Sequence, residues 1–384
     1  MENFVYRNPV KVLFGRGQIA GIGAEIPAGA KILLTYGGGS IKTNGVYDQV
    51  RAALAGRPVA EFGGIEPNPR YETLMRAVEL VRAEGIGFLL SAGGGSVLDG
   101  TKFISAAAHF EGDPWDILAQ HAPVRRAVPL GAVMTLPATG SEMNFFAVIT
   151  RWETREKLAF GHPAVYPKFS VLDPETTFTL PARQVANGVV DAFVHVLEQY
   201  LTYPADAPLQ DRMAEAILLT LIEEGPRTLA QPADYDARAN LMWAATMALN
   251  GLIAAGVPQD WSTHMIGHEI TALHGLDHAQ TLAVVLPATM LARQEGKREK
   301  LLQFGERVWG LREGSPEARI QAAVDRTRAF FESLGVPTRL SGYGVSADTI
   351  PLIAERLEKR GMTALGERQD VTPAQVREIL ALCV

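Results

Sequence analysis

The spacing of hydrophobic positions divides the chain into two parts. Between residues 11 and about 174, short apolar and β-branched runs alternate with stretches whose apolar positions recur at helical spacing. This alternation is typical of βαβ units around a largely parallel sheet. It predicts strands over residues 31–36, 59–62, 88–91, 128–136 and 169–172, with helices over 47–54, 71–83 and 97–108.

Strand signals nearly vanish after Thr179, and helical spacing dominates from there to the end. Helices are predicted over residues 183–201, 209–221, 235–249, 261–273, 279–290, 298–308, 316–334, 349–359 and 373–382. We therefore expect an α/β domain over residues 1–178 and a helical domain over 179–384. No low-complexity linker separates them, so the boundary should be tight.

Composition narrows the class of protein. A chain of 384 residues, 47% hydrophobic and 20% charged, is typical of a soluble two-domain protein. The net charge of -6 and the lack of a basic block argue against nucleic-acid binding. Neither an export signal nor a membrane-length apolar stretch is recognisable. The single cysteine, Cys383, can form no internal disulfide, which suits the cytoplasm.

A carboxylate and an imidazole interrupt the apolar stripe of the first helix of the second domain. Asp191 and His195 are four residues apart, so they lie one above the other on the same helix face. Burying such a pair is costly unless a partner satisfies it. A metal ion would do so, although a hydrogen-bonded core pair is the alternative.

Further imidazoles follow, because five of the 8 histidines lie between positions 195 and 278. Asp191 and His195 with two more imidazoles would form an N3O ligand set suited to Fe(II) or Zn(II). The second pair must come from four candidates, His264, His268, His274 and His278. A zincin motif is excluded because Ala272 stands where its second histidine would be.

Two glycine clusters follow predicted strands. Gly93-Gly94-Gly95-Ser96 opens a helix that contains Asp99, so backbone N–H groups converge where a pyrophosphate could bind. A tight turn with close packing is the alternative. Gly37-Gly38-Gly39-Ser40 contains no acid to accept a ribose 2′-hydroxyl, whereas Ser40 and Lys42 can donate to a phosphate. If this loop meets the ribose, NADP is favoured over NAD.

A third polar loop, Pro137-Ala138-Thr139-Gly140-Ser141-Glu142, follows the run over residues 128–136. The hydroxyls of Thr135, Thr139 and Ser141 could bind a cofactor, whereas ordinary turn chemistry is the more common explanation of such a loop taken alone. Lys157 could reach a ribose hydroxyl, and a solvated lysine is the alternative.

Taken together, these motifs resemble the iron-containing (group III) alcohol dehydrogenases, and within them the bacterial NADPH-dependent aldehyde reductase and butanol dehydrogenase branch. The resemblance covers essentially the whole chain. It rests on Tyr36-Gly37-Gly38-Gly39-Ser40, Gly93-Gly94-Gly95-Ser96-Val97-Leu98-Asp99, Thr139-Gly140-Ser141-Glu142, Asp191-Ala192-Phe193-Val194-His195 and the histidines from His264 to His278.

The resemblance implies a Rossmann-like, parallel α/β dinucleotide-binding domain and an all-α metal-binding domain, a fold shared with dehydroquinate synthase. A catalytic metal is expected in the cleft between them. The implied activity is NADP(H)-dependent reduction of aldehydes to primary alcohols, and the reverse oxidation, in a homodimer.

The resemblance also implies roles for individual residues. The expected ligands of one Fe2+ or Zn2+ ion are Asp191, His195, His264 and His278. His268 corresponds to a non-ligand histidine near the nicotinamide and is the candidate for relaying a proton. The expected cofactor contacts are Gly37, Gly38, Ser40, Asn68, Gly94, Gly95, Ser96, Asp99, Thr135, Thr139, Ser141 and Lys157.

Two other classes share parts of this pattern. Glycerol dehydrogenases and dehydroquinate synthase have a similar scaffold, but they do not generally show the Asp-x-x-x-His pair, so His195 favours the alcohol dehydrogenases. A binding or sensing protein without turnover is the other alternative. Loss of a ligand would favour it, and no ligand position is replaced.

Overall fold

The computed structural model describes all 384 residues, Met1–Val384, which form two compact units. We call the first the sheet unit; it comprises Arg7–Pro181 and Pro232–Thr246. The second, the helical unit, comprises Met1–Tyr6, Ala182–Gln231 and Met247–Val384. No helix in the chain has both the length and the apolar character needed to cross a membrane.

Six parallel strands form the main sheet, in the order β1-β8-β5-β4-β2-β3, and β6 pairs antiparallel with β7. The strands are β1 Lys11–Phe14, β2 Ile32–Tyr36, β3 Val59–Phe62, β4 Phe88–Gly94, β5 Leu130–Leu136, β6 Phe146–Arg151, β7 Glu156–Gly161 and β8 Phe169–Leu172. All five strands expected from the sequence are present. Strands β1, β6 and β7 were not predicted.

Fourteen helices complete the chain, and twelve of them correspond to predicted stretches. They are α1 Ile22–Glu25, α2 Val46–Ala53, α3 Tyr71–Glu84, α4 Gly95–Ala107, α5 Asp116–Ala119, α6 Ala182–Tyr200, α7 Pro208–Ala230, α8 Tyr235–Ala248, α9 Ser262–His274, α10 His278–Ala292, α11 Gln294–Arg307, α12 Pro316–Ser333, α13 Thr349–Lys359 and α14 Pro373–Ala381. Helix α7 continues through Pro226, past its expected end at residue 221. Gly225 lies close against Val189 of α6, so tertiary packing outweighs the unfavourable proline.

The main sheet is buried on both faces, as expected for parallel strands covered by helices. Successive residues of β2 point to opposite sides, so Leu33 joins the core under α3 and α4, whereas Ile32 and Leu34 join the core under α2. The loops that follow the strands carry the candidate cofactor residues.

Helix α8 packs with the sheet unit although it lies far along the chain. The Thr246 hydroxyl donates to the buried carboxylate of Glu142, and Trp243 meets Phe14 edge to face with ring centroids 5.8 Å apart. Helical spacing reveals the helix, but it carries no signal for which neighbour the helix contacts.

In the helical unit, α6 presents two chemically different sides. Phe193 packs into an aromatic cluster with Phe304, Phe330 and Phe331, at ring-centroid distances of 5.4–6.5 Å. Aromatic burial of this kind is a large source of core stability. It also fixes the rotation of α6, which determines where the polar residues of the same helix point.

Candidate functional site

One side of α6 carries a polar stripe inside an otherwise apolar helix. Asn187, Asp191, His195 and Glu198 follow each other at spacings of four, four and three residues, which places them on one face. The last three are at most 3% exposed. Buried polar groups require partners, and two other helices bring them.

Asp191 and His195 meet His264 of α9 and His278 of α10. One ligand atom of each residue lies within 4.8 Å of those of the other three. Asp191 Oδ1 is 3.6 Å from His195 Nε2 and 3.6 Å from His278 Nε2. The structure thus brings together the four expected ligands.

The donor set and its spacing fit a divalent metal. Ligand atoms at about 2 Å from a shared tetrahedral ion lie roughly 3.4 Å apart, close to the two distances above. Burial, reinforced by His264, holds the pKa of His195 well below its usual value, so this imidazole keeps a free lone pair. Nε2 of His264 is buried without a hydrogen-bond partner, as expected of an atom that waits for a metal.

Close helix packing brings α9 and α10 together. A Cβ atom at Gly267 would lie 2.8 Å from Thr281 Oγ1. Position 267, directly before His268, must therefore be glycine for this approach. Asp277 caps α10 in a reciprocal capping box with Gln280 and thereby sets the first turn, which contains His278.

Two residues of α6 hold that cap in place. Asn187 Nδ2 donates to Asp277 Oδ2 at 2.9 Å, and Arg183 forms an ion pair with the same oxygen at 2.9 Å. Helix α6 therefore fixes the segment that presents His278 as well as supplying two ligands itself. Neither contact follows from the spacing of residues along the chain.

Glu198 was also missed. Its carboxylate contacts Nδ1 of His264 and accepts the backbone N–H groups of Thr263, at 2.7 Å, and of His264, at 3.4 Å. Extending the helical spacing from Asp191 and His195 by one turn would have placed Glu198 on the same face.

The remaining histidines of this region have different surroundings. His268 is buried, and its ring centroid lies 5.3 Å from that of His278 and 6.2 Å from that of His264. His274 instead bonds Thr349 Oγ1 at 2.8 Å through Nε2. Of the four candidates, His264 and His278 join the cluster, His268 lies beside it, and His274 lies outside it.

Glu269, which follows His268, forms ion pairs and does not belong to the ligand cluster. This buried carboxylate pairs with Arg356 and Arg360 of α13. A general base of the zincin type must be free to reach a metal-bound water, whereas two guanidinium groups hold this one. The two ion pairs explain why the Glu269 carboxylate can be buried.

The loops expected to bind the cofactor follow three adjacent strands. Strands β2, β4 and β5 are neighbours and parallel, so their carboxyl ends lie on the same edge of the sheet. The residues placed at these ends are Gly37, Gly38 and Ser40 after β2, Gly94, Gly95 and Ser96 at and after β4, and Thr135, Thr139 and Ser141 at and after β5.

Two of these loops touch. A Cβ atom at Gly95 would lie 2.4 Å from Thr139 Oγ1, so glycine is required for the start of α4 to meet the loop after β5. The carboxylate of Asp99 accepts from Ser141 Oγ at 2.7 Å and from the Val148 N–H at 3.0 Å. Asp99 therefore shapes the loop after β5.

Lys102 also forms hydrogen bonds to the segment that follows β5. Its fully buried ammonium donates to Ser141 O, Ser141 Oγ, Asn144 Oδ1 and Phe146 O at 2.8–3.1 Å. Burial lowers the pKa of Lys102 to about 8, while Asp99 and Glu142 oppose the shift. Lys102 was not among the residues predicted from the sequence.

Lys157 and Asn68, both expected to contact the cofactor, are bonded to each other, with Nζ 2.8 Å from Oδ1. Lys157 lies on β7 and is 5% exposed, so the alternative of a solvated lysine is wrong. Its partner lies 89 positions away along the chain, which local patterns cannot reveal.

The first glycine loop has an acid nearby that does not belong to the loop itself. Glu61 of β3 accepts from the hydroxyls of Tyr47, at 2.6 Å, and Tyr36, at 3.3 Å. It also pairs with Lys42 at 3.7 Å and Arg51 at 3.9 Å. Because two cations and two phenols surround it, its charge is largely compensated.

Both halves of the chain match known families. Residues 9–174 match the iron-containing alcohol dehydrogenases, and residues 185–383 match the C-terminal part of the Fe-containing alcohol dehydrogenase family. Together these matches cover most of the chain.

The chain is similar to individual relatives along nearly their full length. The chain is 61% identical over 375 residues to the NADPH-dependent aldehyde reductase YqhD of Escherichia coli (strain K12), covering 97% of each. It is 41% identical over 385 residues to the probable NADH-dependent butanol dehydrogenase 1 of Bacillus subtilis (strain 168), covering 99% of each. The crystal structure of E. coli K-12 YqhD matches with a TM-score of 0.99 at 59% identity, covering 100% of this chain and 99% of that one. The expected fold class is thereby confirmed.

Proposed function

Because the chain belongs to the family of iron-containing alcohol dehydrogenases, we propose that it reduces aldehydes to primary alcohols with NADPH as hydride donor and catalyses the reverse oxidation. The observation that carries this proposal is the cluster of Asp191, His195, His264 and His278, of which the first three are buried. It combines one carboxylate with three imidazoles on three helices, which is a ligand set for a divalent metal.

These four residues would hold one divalent ion, Fe2+ or Zn2+. When bound there, the ion supplies Lewis acidity toward the carbonyl oxygen, on which negative charge develops during reduction. The side chains keep the ligand atoms close together and largely out of water, since Asp191 and His195 are both 3% exposed. Burial makes the electrostatic contribution of each group larger than in solvent.

We propose that His268 relays the proton that the alcohol oxygen gains or loses. It lies one helical turn after His264 and beside His278, which places a titratable imidazole next to the proposed metal ligands. An imidazole suits this role because its usual pKa lies near neutrality.

NADPH is favoured over NADH by the charges around the loop after β2. Lys42 is a cation beside this loop, and its hydrogen bond to Tyr36 and the charge of Glu61 raise its pKa. Glu61, the nearby acid, is occupied by Tyr36, Tyr47 and Arg51. A 2′-phosphate would therefore meet a cation and no uncompensated carboxylate.

We also propose a homodimer. The N-terminal segment exposes apolar side chains, with Val5 98% and Phe4 50% exposed. Clustered apolar exposure is typical of a protein interface. Analytical ultracentrifugation should give twice the 41.5 kDa chain mass.

The free thiol of Cys383, which is buried, agrees with the reducing cytoplasm that we propose as the compartment. Fractionation of cells that express the protein at its native level tests this placement.

The function is tested by supplying the purified protein with Fe2+ or Zn2+ and aldehydes of graded chain length, and by following oxidation of NADPH and NADH at 340 nm. We expect turnover with NADPH, lower catalytic efficiency with NADH, and an alcohol product. A protein that carries a full metal complement and oxidises NADPH with none of the aldehydes would overturn the proposal.

A further inference from the structure

The carboxylate of Glu198 is 2% exposed and faces two backbone N–H groups and one imidazole nitrogen from the start of α9. Thr263 and His264 donate through their backbones, and His264 also contacts it through Nδ1. Both carboxylate oxygens are therefore engaged, and one of them is devoted to the imidazole.

This contact determines which nitrogen of His264 carries the proton. An ionised carboxylate can only accept a hydrogen bond, and a neutral imidazole has a single N–H. The proton must then reside on Nδ1, which leaves the lone pair on Nε2. Nε2 is the buried nitrogen without a hydrogen-bond partner.

The same carboxylate also fixes where α9 begins. The Thr263 and His264 N–H groups belong to the first turn of α9, where an anion is favoured by the helix dipole. A second bond, from the Asp260 N–H to the Glu198 carbonyl at 2.8 Å, ties the preceding residues to α6. Glu198 lies seven residues after Asp191, so the first turn of α9 is fixed to the helix that carries two ligands.

We propose that Glu198 is a positioning residue for the metal site, which fixes the tautomer and orientation of His264 so that Nε2 faces Asp191, His195 and His278. The inference rests on the metal site proposed above. A metal ligand whose second nitrogen is held by a carboxylate binds more tightly, because the ring is pre-oriented and its basicity rises. Glu198 would also be the second anion, after Asp191, that balances a divalent charge.

The test compares Glu198→Gln with Glu215→Gln. Glutamine keeps the size of the side chain, but its NH2 group replaces one accepting oxygen, so it cannot accept from the backbone and from Nδ1 at once. Glu215 is a matched control, since it is a buried carboxylate of the helical unit that bonds Tyr200, Gln303 and Arg307.

Full-length metal-free protein is titrated with Zn2+ against a chelator of known affinity, and the Co2+-loaded proteins are compared by their d–d absorption. We expect Zn2+ affinity to fall roughly 10- to 100-fold in Glu198→Gln and to stay unchanged in Glu215→Gln. The Co2+ spectrum should change in the first variant alone. A role in helix capping alone would lower the melting temperature of the metal-free protein without these changes.

The outcomes separate this inference from the proposed function. Folded Glu198→Gln with wild-type Zn2+ affinity would overturn the inference alone. Failure of the wild type and Glu215→Gln to bind one Zn2+ per chain would overturn the metal site and the inference with it.

A measurement on the wild type needs no variant of Glu198 and covers the case in which Glu198→Gln does not fold. Histidine 15N spectra of the metal-free protein, with His264 assigned from His264→Asn, should show the proton on Nδ1. A proton on Nε2 would overturn the inference.

Discussion

The polar face of α6 and the glycine loops at the edge of the main sheet are built on opposite principles. The face of α6 consists of side chains, and several of its polar groups meet a defined partner, as Asn187 Nδ2 meets Asp277 and Glu198 meets His264. The loops consist of backbone and small residues, and their geometry depends on missing side chains, as at Gly95 beside Thr139.

This difference determines how each region fails. A change on the α6 face removes a chemical group from a preformed site, so it should affect metal content or the chemical step and leave the cofactor bound. A change in the loops adds atoms or charge where the backbone must remain accessible, so it should affect cofactor binding and leave the metal in place.

The largest expected effect follows from Asp191→Ala, which removes the one carboxylate of the cluster. We expect loss of stoichiometric metal and a turnover lower by about 10³-fold or more, because carbonyl polarisation disappears. NADPH binding, measured by fluorescence titration, should stay near the wild-type value.

Asp325→Ala is the control for Asp191→Ala, because Asp325 is an exposed aspartate on α12 that bonds only to Gln321. Asp325→Ala should change neither the metal content nor the turnover. If Asp191→Ala retained a full metal complement, Asp191 would not be a ligand.

His268→Gln should lower turnover by roughly 10²-fold and flatten the pH–rate profile, because the proton relay is lost. Metal content should remain full, which distinguishes a relay from a ligand. His274→Gln, on the same helix but bonded to Thr349, should behave like the wild type. Loss of metal in His268→Gln would place His268 among the ligands, and unaltered turnover would exclude the relay.

The contrast between the regions also explains what the sequence reveals. Helical spacing located α6 over residues 183–201, against Ala182–Tyr200 in the structure, and aligned Asp191 with His195. Glu198 escaped notice because its partner, His264, lies 66 positions later. A local pattern shows which side chains share a face, but it does not show what that face meets.

The same limit applies to the sheet unit. Spacing and turn residues predicted five of the six parallel strands, yet the β6–β7 hairpin was missed because the surrounding pattern favoured βαβ units. With β7 missed, Lys157 could not be recognised as a buried partner of Asn68. Glu61 was overlooked likewise, since it reaches the first glycine loop from a neighbouring strand.

Gly95→Ala tests whether cofactor binding by the glycine loops requires the absence of a side chain at position 95. Its Cβ would clash with Thr139, and relieving the clash should cost about 1–3 kcal/mol. NADPH affinity should fall at least several-fold, with metal content unchanged. Gly21→Ala, where a Cβ meets nothing within 4 Å, is the control and should leave NADPH affinity unchanged. Metal loss in Gly95→Ala with normal NADPH affinity would contradict the separation of the two regions.

Gly38→Asp should have the smallest effect and tests the role of charge. Apart from the two neighbouring residues, no atom lies within 4 Å of a Cβ there, so the first carbon of an added side chain meets open space. It should weaken NADPH binding about tenfold relative to NADH by repelling the 2′-phosphate, which corresponds to roughly 1.4 kcal/mol. Gly38→Asn has the same size without the charge and should leave the preference for NADPH in place. If Gly38→Asp bound each cofactor with the wild-type affinity, this loop would not meet the ribose.

The central claim is that Asp191, His195, His264 and His278 hold the ion on which turnover depends. Its most direct test is a titration of metal-free protein with Fe2+ or Zn2+ under anaerobic conditions, in which bound metal and NADPH-dependent aldehyde reduction are measured on the same samples. We expect activity to rise in proportion to bound metal and to level off at one ion per chain. Full activity in the metal-free protein, or saturation with metal and no activity, would contradict the claim.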